Sequence, residues 1–336
     1  MGTTSGGSGA ASAPSRSLRR SLDVPDLIAR ARDGDARAVA RLISLVEDEH
    51  PVLREVMAAL APHTGHAEVV GLTGSPGVGK STSTNALVRV YRAAGKRVGV
   101  LAVDPSSPFT GGAILGDRVR MQDHATDTGV YIRSMSSRGH LGGLAAATPQ
   151  AVRVLEAAGC DVVLVETVGV GQAEVEVASL ADTTLVLLAP GMGDAIQAVK
   201  AGILEIADIF VVNKADRDGA DQTLRDIRGM ISLGERGPGE WRPTIVKTVA
   251  SREEGVEDVL GAIAKHRDWL AKHGELDRRR KARAAAEIEA ITLAAVRQRI
   301  GEHHDGALLD ALAAKVVGGA LDPYTAADEL MRGLDI

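Results

Sequence analysis

Residues 74–81 read Gly-Ser-Pro-Gly-Val-Gly-Lys-Ser, and this stretch decides the fold. It completes the pattern G-x-x-x-x-G-K-[ST], in which glycines let backbone N–H groups turn towards phosphate oxygens. An apolar run at 69–72 precedes it, and the pattern predicts a helix over 82–93. Strand, loop and helix in this order predict a phosphate-binding loop, in which Lys80 reaches the β- and γ-phosphates and Ser81 ligates Mg²⁺.

A second motif, Asn213-Lys214-Ala215-Asp216, follows the strand predicted at 208–213. The Asp216 carboxylate can accept hydrogen bonds from guanine N1–H and from the N2 amine, and adenine has neither donor. We expect the Lys214 stem to lie across the base and Asn213 to brace the loops. A buried site that pairs both donors rejects a base without them by about 10⁴-fold. The motif therefore predicts GTP or GDP as the ligand, with Mg²⁺.

The segment 248–251 follows another predicted strand, and its backbone suits the base as well. We expect the N–H group of Ala250 to meet guanine O6. The predicted nucleotide contacts are then Gly74, Ser75, Pro76, Gly77, Val78, Gly79, Lys80, Ser81, Thr82, Asn213, Lys214, Asp216, Val249, Ala250 and Ser251.

Short β-branched runs alternate with helical stretches between residues 67 and about 268. Strands are predicted at 68–73, 97–103, 130–134, 161–166, 183–189, 208–213 and 243–248. Several of these runs are apolar on both faces, as in buried parallel strands. The fold class is therefore α/β: a P-loop NTPase with a largely parallel sheet flanked by helices and with helical extensions at both ends. The predicted division is a flexible tail at 1–22, an N-terminal helical extension at 23–66, a P-loop domain at 67–270 and a C-terminal helical segment at 271–336.

The two extensions show helical spacing of apolar residues. Pro51 is expected to divide residues 24–61 into two helices. Further helices are predicted over 276–299, 307–317 and 324–334, and the basic run 278–281 is interpreted as the solvated face of the first of these. The C-terminal helices are a candidate dimer interface, although they could equally pack on their own domain.

Composition excludes several function classes. The net charge of −5 gives no electrostatic reason to expect a nucleic-acid partner. No apolar run approaches 18 residues, so no spanning helix and no membrane partner are expected. The single cysteine, Cys160, excludes an intramolecular disulfide and fits a reducing compartment. We expect a cytoplasmic location, or an organellar matrix if residues 1–20 are a transit peptide.

Three acids stand at or near predicted strand ends: Asp104, Asp117 and Glu166. Mg²⁺ on a nucleotide takes only one or two protein oxygens and keeps several waters. Some of the three must therefore act through water or position the attacking water. The residues do not separate Asp104 from Asp117 in that second role.

The motifs at 74–82, 103–107, 114–121, 166–172 and 213–216 together closely resemble the MeaB/ArgK family, the GTPases associated with methylmalonyl-CoA mutase. The resemblance covers about residues 25–335. It implies a homodimer that couples GTP hydrolysis to loading and protection of an adenosylcobalamin-dependent mutase. It also implies catalytic roles for Lys80, Asp104, Asp117 and Glu166, with Ser81, Asp104 and Glu166 around the metal.

The stretch 190–200 is similar to the third switch loop of that family, whose pattern is G-D-x-L-Q-G-I-K. Asp194, Gln197 and Lys200 match the pattern, whereas Ile196, Ala198 and Val199 depart from it. Val170 stands where Ras-type enzymes place a water-orienting Gln, so the expected unassisted turnover is slow, about 10⁻⁴ to 10⁻² s⁻¹.

Three alternatives remain open at this point. One is a P-loop kinase or ATPase linked to amino-acid transport, against which Asn213–Asp216 argues. Another is a nickel-chaperone GTPase, a class that typically carries Cys or His clusters, whereas this chain has Cys160 and the pair His303-His304. The last is a scaffold that binds nucleotide without turnover, which a multiple-turnover assay would exclude.

Overall fold

The computed structural model describes residues 23–105, 124, 126–137, 147–167, 173–191, 203–234, 237, 239–302 and 307–333. Within these residues the chain forms a seven-stranded sheet in the order β3-β2-β4-β1-β5-β6-β7. The strands are β1 Glu68–Thr73, β2 Val98–Pro105, β3 Val130–Ser137, β4 Val162–Thr167, β5 Thr183–Leu188, β6 Ile209–Val212 and β7 Thr244–Lys247. All pairings are parallel, which confirms the predicted fold class and all seven predicted strands.

Helices cover both faces of this sheet. They are α1 Val24–Arg32, α2 Ala36–Glu47, α3 Leu53–Leu60, α4 Lys80–Ala93, α5 Ala147–Ala157, α6 Ala173–Leu180, α7 Ile203–Ile206, α8 Ala220–Leu233, α9 Val256–Lys272, α10 Glu275–Glu302, α11 Ala307–Val317 and α12 Pro323–Gly333. Neighbouring residues of β1 show the two layers. Val69 packs in the cluster that contains α2, α5 and α6, and Val70 packs in the cluster that contains α4 and α9.

Parallel pairing brings the strand ends with polar residues to one edge. Leu72 of β1 lies opposite Glu166 of β4 on one side and opposite Leu185 of β5 on the other. Strands β1, β4 and β5 are buried along their whole length, as their apolar runs predict. Burying a leucine or valine side chain stabilises the fold by about 1.5–3 kcal/mol, so this register is strongly fixed.

The N-terminal extension contains three helices rather than the predicted two. The break at Pro51 is present, but a second one occurs at 33–35, where Gly34 has a φ of +93°. The Asp35 carboxylate accepts from the N–H groups of Arg37 and Ala38 and so caps the start of α2. The prediction missed this break because apolar spacing continues across it, while glycine freedom and an Asp cap end one helix and start the next.

The basic run 278–281 is not simply the solvated face of a helix, and that prediction is wrong for two of its members. Arg279 donates to both carboxylate oxygens of Asp208, at 2.9 and 2.8 Å. Arg280 donates to Asp182 at 2.9 Å and to the carbonyl oxygen of Ala67 at 3.0 Å. Asp182 and Asp208 precede β5 and β6, so α10 is fastened to the sheet edge opposite the phosphate loop.

Asp208 is buried among several polar and basic groups. It lies 3.2 Å from His266 Nε2 and accepts from the N–H of Thr184 at 2.8 Å. Burial by itself raises the pKa of the Asp208 carboxyl. Hydrogen bonds from His266 and Arg279 together lower this pKa by more than burial raises it, so the pKa lies below its ordinary value. An acid whose pKa is lower in the folded state stabilises the fold at pH values above the ordinary aspartate pKa. This stabilisation is lost as the pH falls through the pKa of the folded state.

We therefore expect Asp208→Ala to lower the free energy of unfolding by about 3–5 kcal/mol at pH 7, because Arg279 is left half-buried without its partner. Urea denaturation at pH 7 and again near pH 3 measures it, and the difference from wild type should shrink at the lower pH. Asp268→Ala, an exposed acid on α9, is the matched control. A loss no larger than that of the control would contradict the prediction.

Cys160 is fully buried beside the start of β4. Burial raises the pKa of its thiol to about 12. The thiol is therefore protonated and inert at neutral pH, as expected for a small core residue. Among the described residues, no helix combines the length and the apolar character needed to cross a bilayer.

Candidate functional site

The phosphate loop runs from the end of β1 to the start of α4. Gly74, Gly77 and Gly79 all have positive φ, at +137°, +81° and +97°. A Cβ atom at Gly74 would lie 2.3 Å from the carbonyl oxygen of Leu187, and one at Gly79 would lie 2.4 Å from Asn213 Nδ2. Only glycine fits both places. Because Gly79 has no side chain to cap α4, the first N–H groups of that helix are left for an anion.

Lys80 is the first residue of α4, and its side chain is buried against the loop. Its Nζ donates to the carbonyl oxygens of Gly74 at 2.6 Å and Ser75 at 3.1 Å. These bonds hold the ammonium group beside the N-terminal half of the loop. A fixed positive charge next to an open helix N-terminus is an arrangement that binds phosphate.

Two of the predicted metal residues are in direct contact. The Ser81 hydroxyl donates to Glu166 Oε1 at 2.6 Å, and both side chains are buried. Hydroxyl and carboxylate oxygens are donors that Mg²⁺ prefers, so these residues fit a magnesium ion carried with a nucleotide. Asp104 lies in β2, beside β4, at the same edge of the sheet. Its side chain and the whole of Asp117 lie outside the described residues.

A further hydroxyl at this acid was not predicted. Thr84 Oγ1 donates to the second carboxylate oxygen of Glu166 at 2.8 Å. Beside this pair, the Thr167 hydroxyl contacts that of Thr73 at 3.2 Å. The signal for Thr84 was its spacing, because residues three apart on a helix share a face and Ser81 stands three positions earlier.

Asn213 joins the phosphate loop to the loop after β7. Its Nδ2 donates to the carbonyl oxygen of Val78 at 2.8 Å. Its Oδ1 accepts from the Thr248 hydroxyl and from the Ala250 N–H, both at 3.1 Å. Pairing of this Ala250 N–H with guanine O6, which the sequence predicts, requires sharing it with Asn213, so that role stays a prediction. The adjacent Val249 is buried and Ser251 is exposed.

Lys214 and Asp216 frame the outer part of the site. Lys214 has a φ of +56°, and its Nζ donates to the carbonyl oxygen of Gly77 at 2.6 Å, so its stem passes back towards the phosphate loop. The Asp216 carboxylate is exposed and therefore accessible to a ligand. Arg252 donates to its Oδ2 at 3.2 Å, a contact that the sequence reading missed. The Asp216 carboxylate thus contacts the loop after β7, and its role in reading the base stays a prediction.

Other predicted residues cannot be placed. Asp194, Gln197 and Lys200 of the predicted switch loop lie outside the described residues, as does the pair His303-His304. Their assignment rests on the sequence alone.

Comparison with known proteins covers most of the chain. A model of the family described as methylmalonyl-CoA mutase-associated GTPase MeaB matches residues 39–305. The chain belongs to the MeaB family of GTPases. The resemblance seen in the sequence motifs is thereby confirmed.

Similar proteins agree with this membership. A putative GTPase of Pyrococcus abyssi is 46% identical over 311 residues, which cover 92% of this chain and 96% of that protein. The GTPase ArgK of Escherichia coli is 38% identical over 261 residues, which cover 76% and 79%. Among solved structures, the crystal structure of an LAO/AO transport system kinase is 28% identical with a TM-score of 0.71, and the match covers 95% of this chain and all of that one.

The activity of this MeaB-family protein follows from its family and its fold together. Its relatives are named as GTPases, and its sheet carries the phosphate loop at the edge where such proteins bind nucleotide. The protein is thus a P-loop GTPase.

Proposed function

We propose that this GTPase binds GTP with Mg²⁺ and uses its hydrolysis to service an adenosylcobalamin-dependent acyl-CoA mutase, with methylmalonyl-CoA mutase as the first candidate. The service is loading of intact cofactor and protection from inactivation. The observation that carries the proposal is the family match, whose description names association with that mutase. The joined phosphate loop and base motif support the nucleotide part.

Hydrolysis rests on position and charge, because phosphoryl transfer leaves little covalent chemistry to the protein. Lys80 neutralises charge on the β- and γ-phosphates, together with the N–H groups of the phosphate loop. Ser81 and Glu166 would hold a Mg²⁺ ion, directly or through water, and the ion would supply charge neutralisation when bound. Asp104 or Asp117 positions the attacking water. Asp216 accepts from the guanine donors, and Lys214 covers the base.

We infer that the γ-phosphate controls the interaction with the mutase. Strands β2, β4 and β5 all end at the edge that carries the phosphate loop, and the segments predicted to sense the nucleotide follow them. Contacts with the γ-phosphate order such segments, and hydrolysis releases them. Residues Asp194, Gln197 and Lys200 are the proposed switch contacts.

The test is binding to purified methylmalonyl-CoA mutase, with this protein loaded with a non-hydrolysable GTP analogue, with GDP, or with no nucleotide. We expect affinity to differ between the analogue and GDP by about 5- to 150-fold, the usual range of coupling between two sites. Turnover should also rise above the slow unassisted rate when the mutase is added. Equal affinity in all three states, with unchanged turnover, would contradict the proposed partner and leave the GTPase activity intact.

A kinase linked to amino-acid transport is the second candidate, because one similar solved structure is named as an LAO/AO transport system kinase. That reading requires transfer of a γ-phosphate to an acceptor. Hydrolysis assays with GTP and ATP, with and without arginine, separate the two. Phosphate that appears on arginine instead of in solution would favour the kinase.

We also propose a homodimer formed through the C-terminal helices. Large apolar side chains are exposed there, namely Ile288, Ile291 and Leu293 on α10, Leu309 on α11 and Met331 on α12. Several large exposed apolar side chains on one helical segment favour an interaction site there. Sedimentation equilibrium of the full chain distinguishes a dimer from a monomer.

A further inference from the structure

Thr84 occupies an unusual position for a residue that belongs to no nucleotide motif. It is the fifth residue of α4 and is fully buried. Its hydroxyl oxygen lies 2.8 Å from Glu166 Oε2 and 3.1 Å from the carbonyl oxygen of Lys80. A hydroxyl has one proton, and the ionised carboxylate is the stronger acceptor, so the bond to Glu166 is the one that orders the side chain.

Together with Ser81, Thr84 holds both oxygens of the same carboxylate. Ser81 takes Oε1 and Thr84 takes Oε2, so the carboxylate plane of Glu166 is fixed against α4. If the Ser81 oxygen bound a metal through a lone pair, its O–H group could still donate to Glu166 Oε1. The Thr84 hydroxyl would keep Glu166 Oε2 in place. Residues that orient metal ligands in this way commonly change metal affinity by about 10- to 100-fold when they are altered.

We infer that Thr84 is a positioning residue of the magnesium site, which acts by holding Glu166 in the orientation that Mg²⁺ binding needs. The inference rests on the proposed nucleotide–Mg²⁺ site and adds to it a residue outside the phosphate-loop pattern. Thr84 itself does not touch the metal. Its hydroxyl donates to one carboxylate oxygen of Glu166, and the Ser81 hydroxyl donates to the other.

A purely structural role would have a different signature. Buried threonines in helices often bond the carbonyl four residues earlier, and such a bond affects stability only. For Thr84 that carbonyl is the one of Lys80, which lies 3.1 Å from its hydroxyl oxygen. Thr223 on α8 offers a matched case. It is buried, and its hydroxyl donates to the carbonyl oxygen of Gly219 at 3.1 Å with the same spacing. Thr223→Val therefore removes the same kind of bond without touching a carboxylate.

The experiment is a magnesium titration of fluorescent mantGDP binding to the full chain, made on wild type, Thr84→Val, Thr84→Ser and Thr223→Val, each with its melting temperature. Thr84→Val should raise the MgCl₂ midpoint by about 10- to 100-fold. Its mantGDP affinity in EDTA should equal that of wild type. Thr84→Ser, which keeps the hydroxyl, should restore the midpoint, and Thr223→Val should leave it unchanged.

Two results overturn the inference in different ways. A folded Thr84→Val with a wild-type MgCl₂ midpoint shows that Thr84 is structural only, while the proposed nucleotide site stands. A wild type whose mantGDP binding does not respond to MgCl₂ overturns the proposed site and the inference with it. Thr84→Ala removes the same hydroxyl and takes the place of the valine variant if that protein melts below the assay temperature.

Discussion

Replacing Lys80 with alanine should reduce GTP turnover below detection, a fall of about 10³-fold or more. The ammonium group is the positive side chain that the phosphate-loop pattern supplies, and it has two tasks. With nucleotide it offsets negative charge at the β- and γ-phosphates. In the structure it donates to the carbonyl oxygens of Gly74 and Ser75, so its loss also removes bonds that shape the loop. A multiple-turnover assay of phosphate release with GTP and Mg²⁺ measures the effect.

The fold should survive this substitution, because the hydrophobic clusters on both faces of the sheet do not depend on Lys80. Circular dichroism and thermal melting check that point. Lys265→Ala is the matched control, since Lys265 is exposed on α9, far along the chain from the phosphate loop. Turnover of Lys80→Ala at the level of this control would defeat the assignment of Gly74–Ser81 as the phosphate site.

The sheet could be predicted well because its central strands are buried on both faces. A run such as 185–188 must be apolar at every position in a central parallel strand, and few other structures require that pattern. The nucleotide motifs were equally readable, because glycines at 74 and 79 meet steric demands that no other residue satisfies. Local demands of this kind leave a local mark in the sequence.

Pairings between distant segments left no such mark. Arg279 and Asp208 lie 71 residues apart, and Thr84 and Glu166 lie 82 apart. Periodicity places a charge on a helix face, but it does not tell whether that face meets solvent or a buried acid at a strand start. The basic run at 278–281 was misread for that reason. Arg279 and Arg280 instead tie the start of α10 to β6 and β5. The other ends of these strands lead to the base motif and to the predicted switch loop.

The contacts of Arg279 and Arg280 tie the start of α10 to strands that lead to the predicted nucleotide site. Arg279 and Arg280 grip the residues before β6 and β5, and the same strands end at Asn213 and at the loop after Leu188. Strands β5 and β6 therefore connect the start of α10 to the edge of the sheet that carries the predicted nucleotide site. A dimer built on α10 would then place two nucleotide sites in a defined relation to each other.

The base motif makes the second prediction with a large effect. Asp216→Asn should weaken GDP binding by about 10²- to 10⁴-fold, because two hydrogen bonds to a charged acceptor contribute about 1.5–3 kcal/mol each. The asparagine amide also points a donor at the guanine N2 amine, which is itself a donor. In xanthine a carbonyl oxygen replaces that amine. The variant should therefore bind XDP better than GDP, whereas wild type prefers GDP.

Calorimetry with GDP, XDP and ADP on both proteins measures these preferences. Asp218→Asn, an exposed acid two positions later in the same loop, is the matched control and should keep the wild-type order. If Asp216→Asn kept its GDP affinity, or if wild type bound ADP as tightly as GDP, Asp216 would not be the group that reads the base.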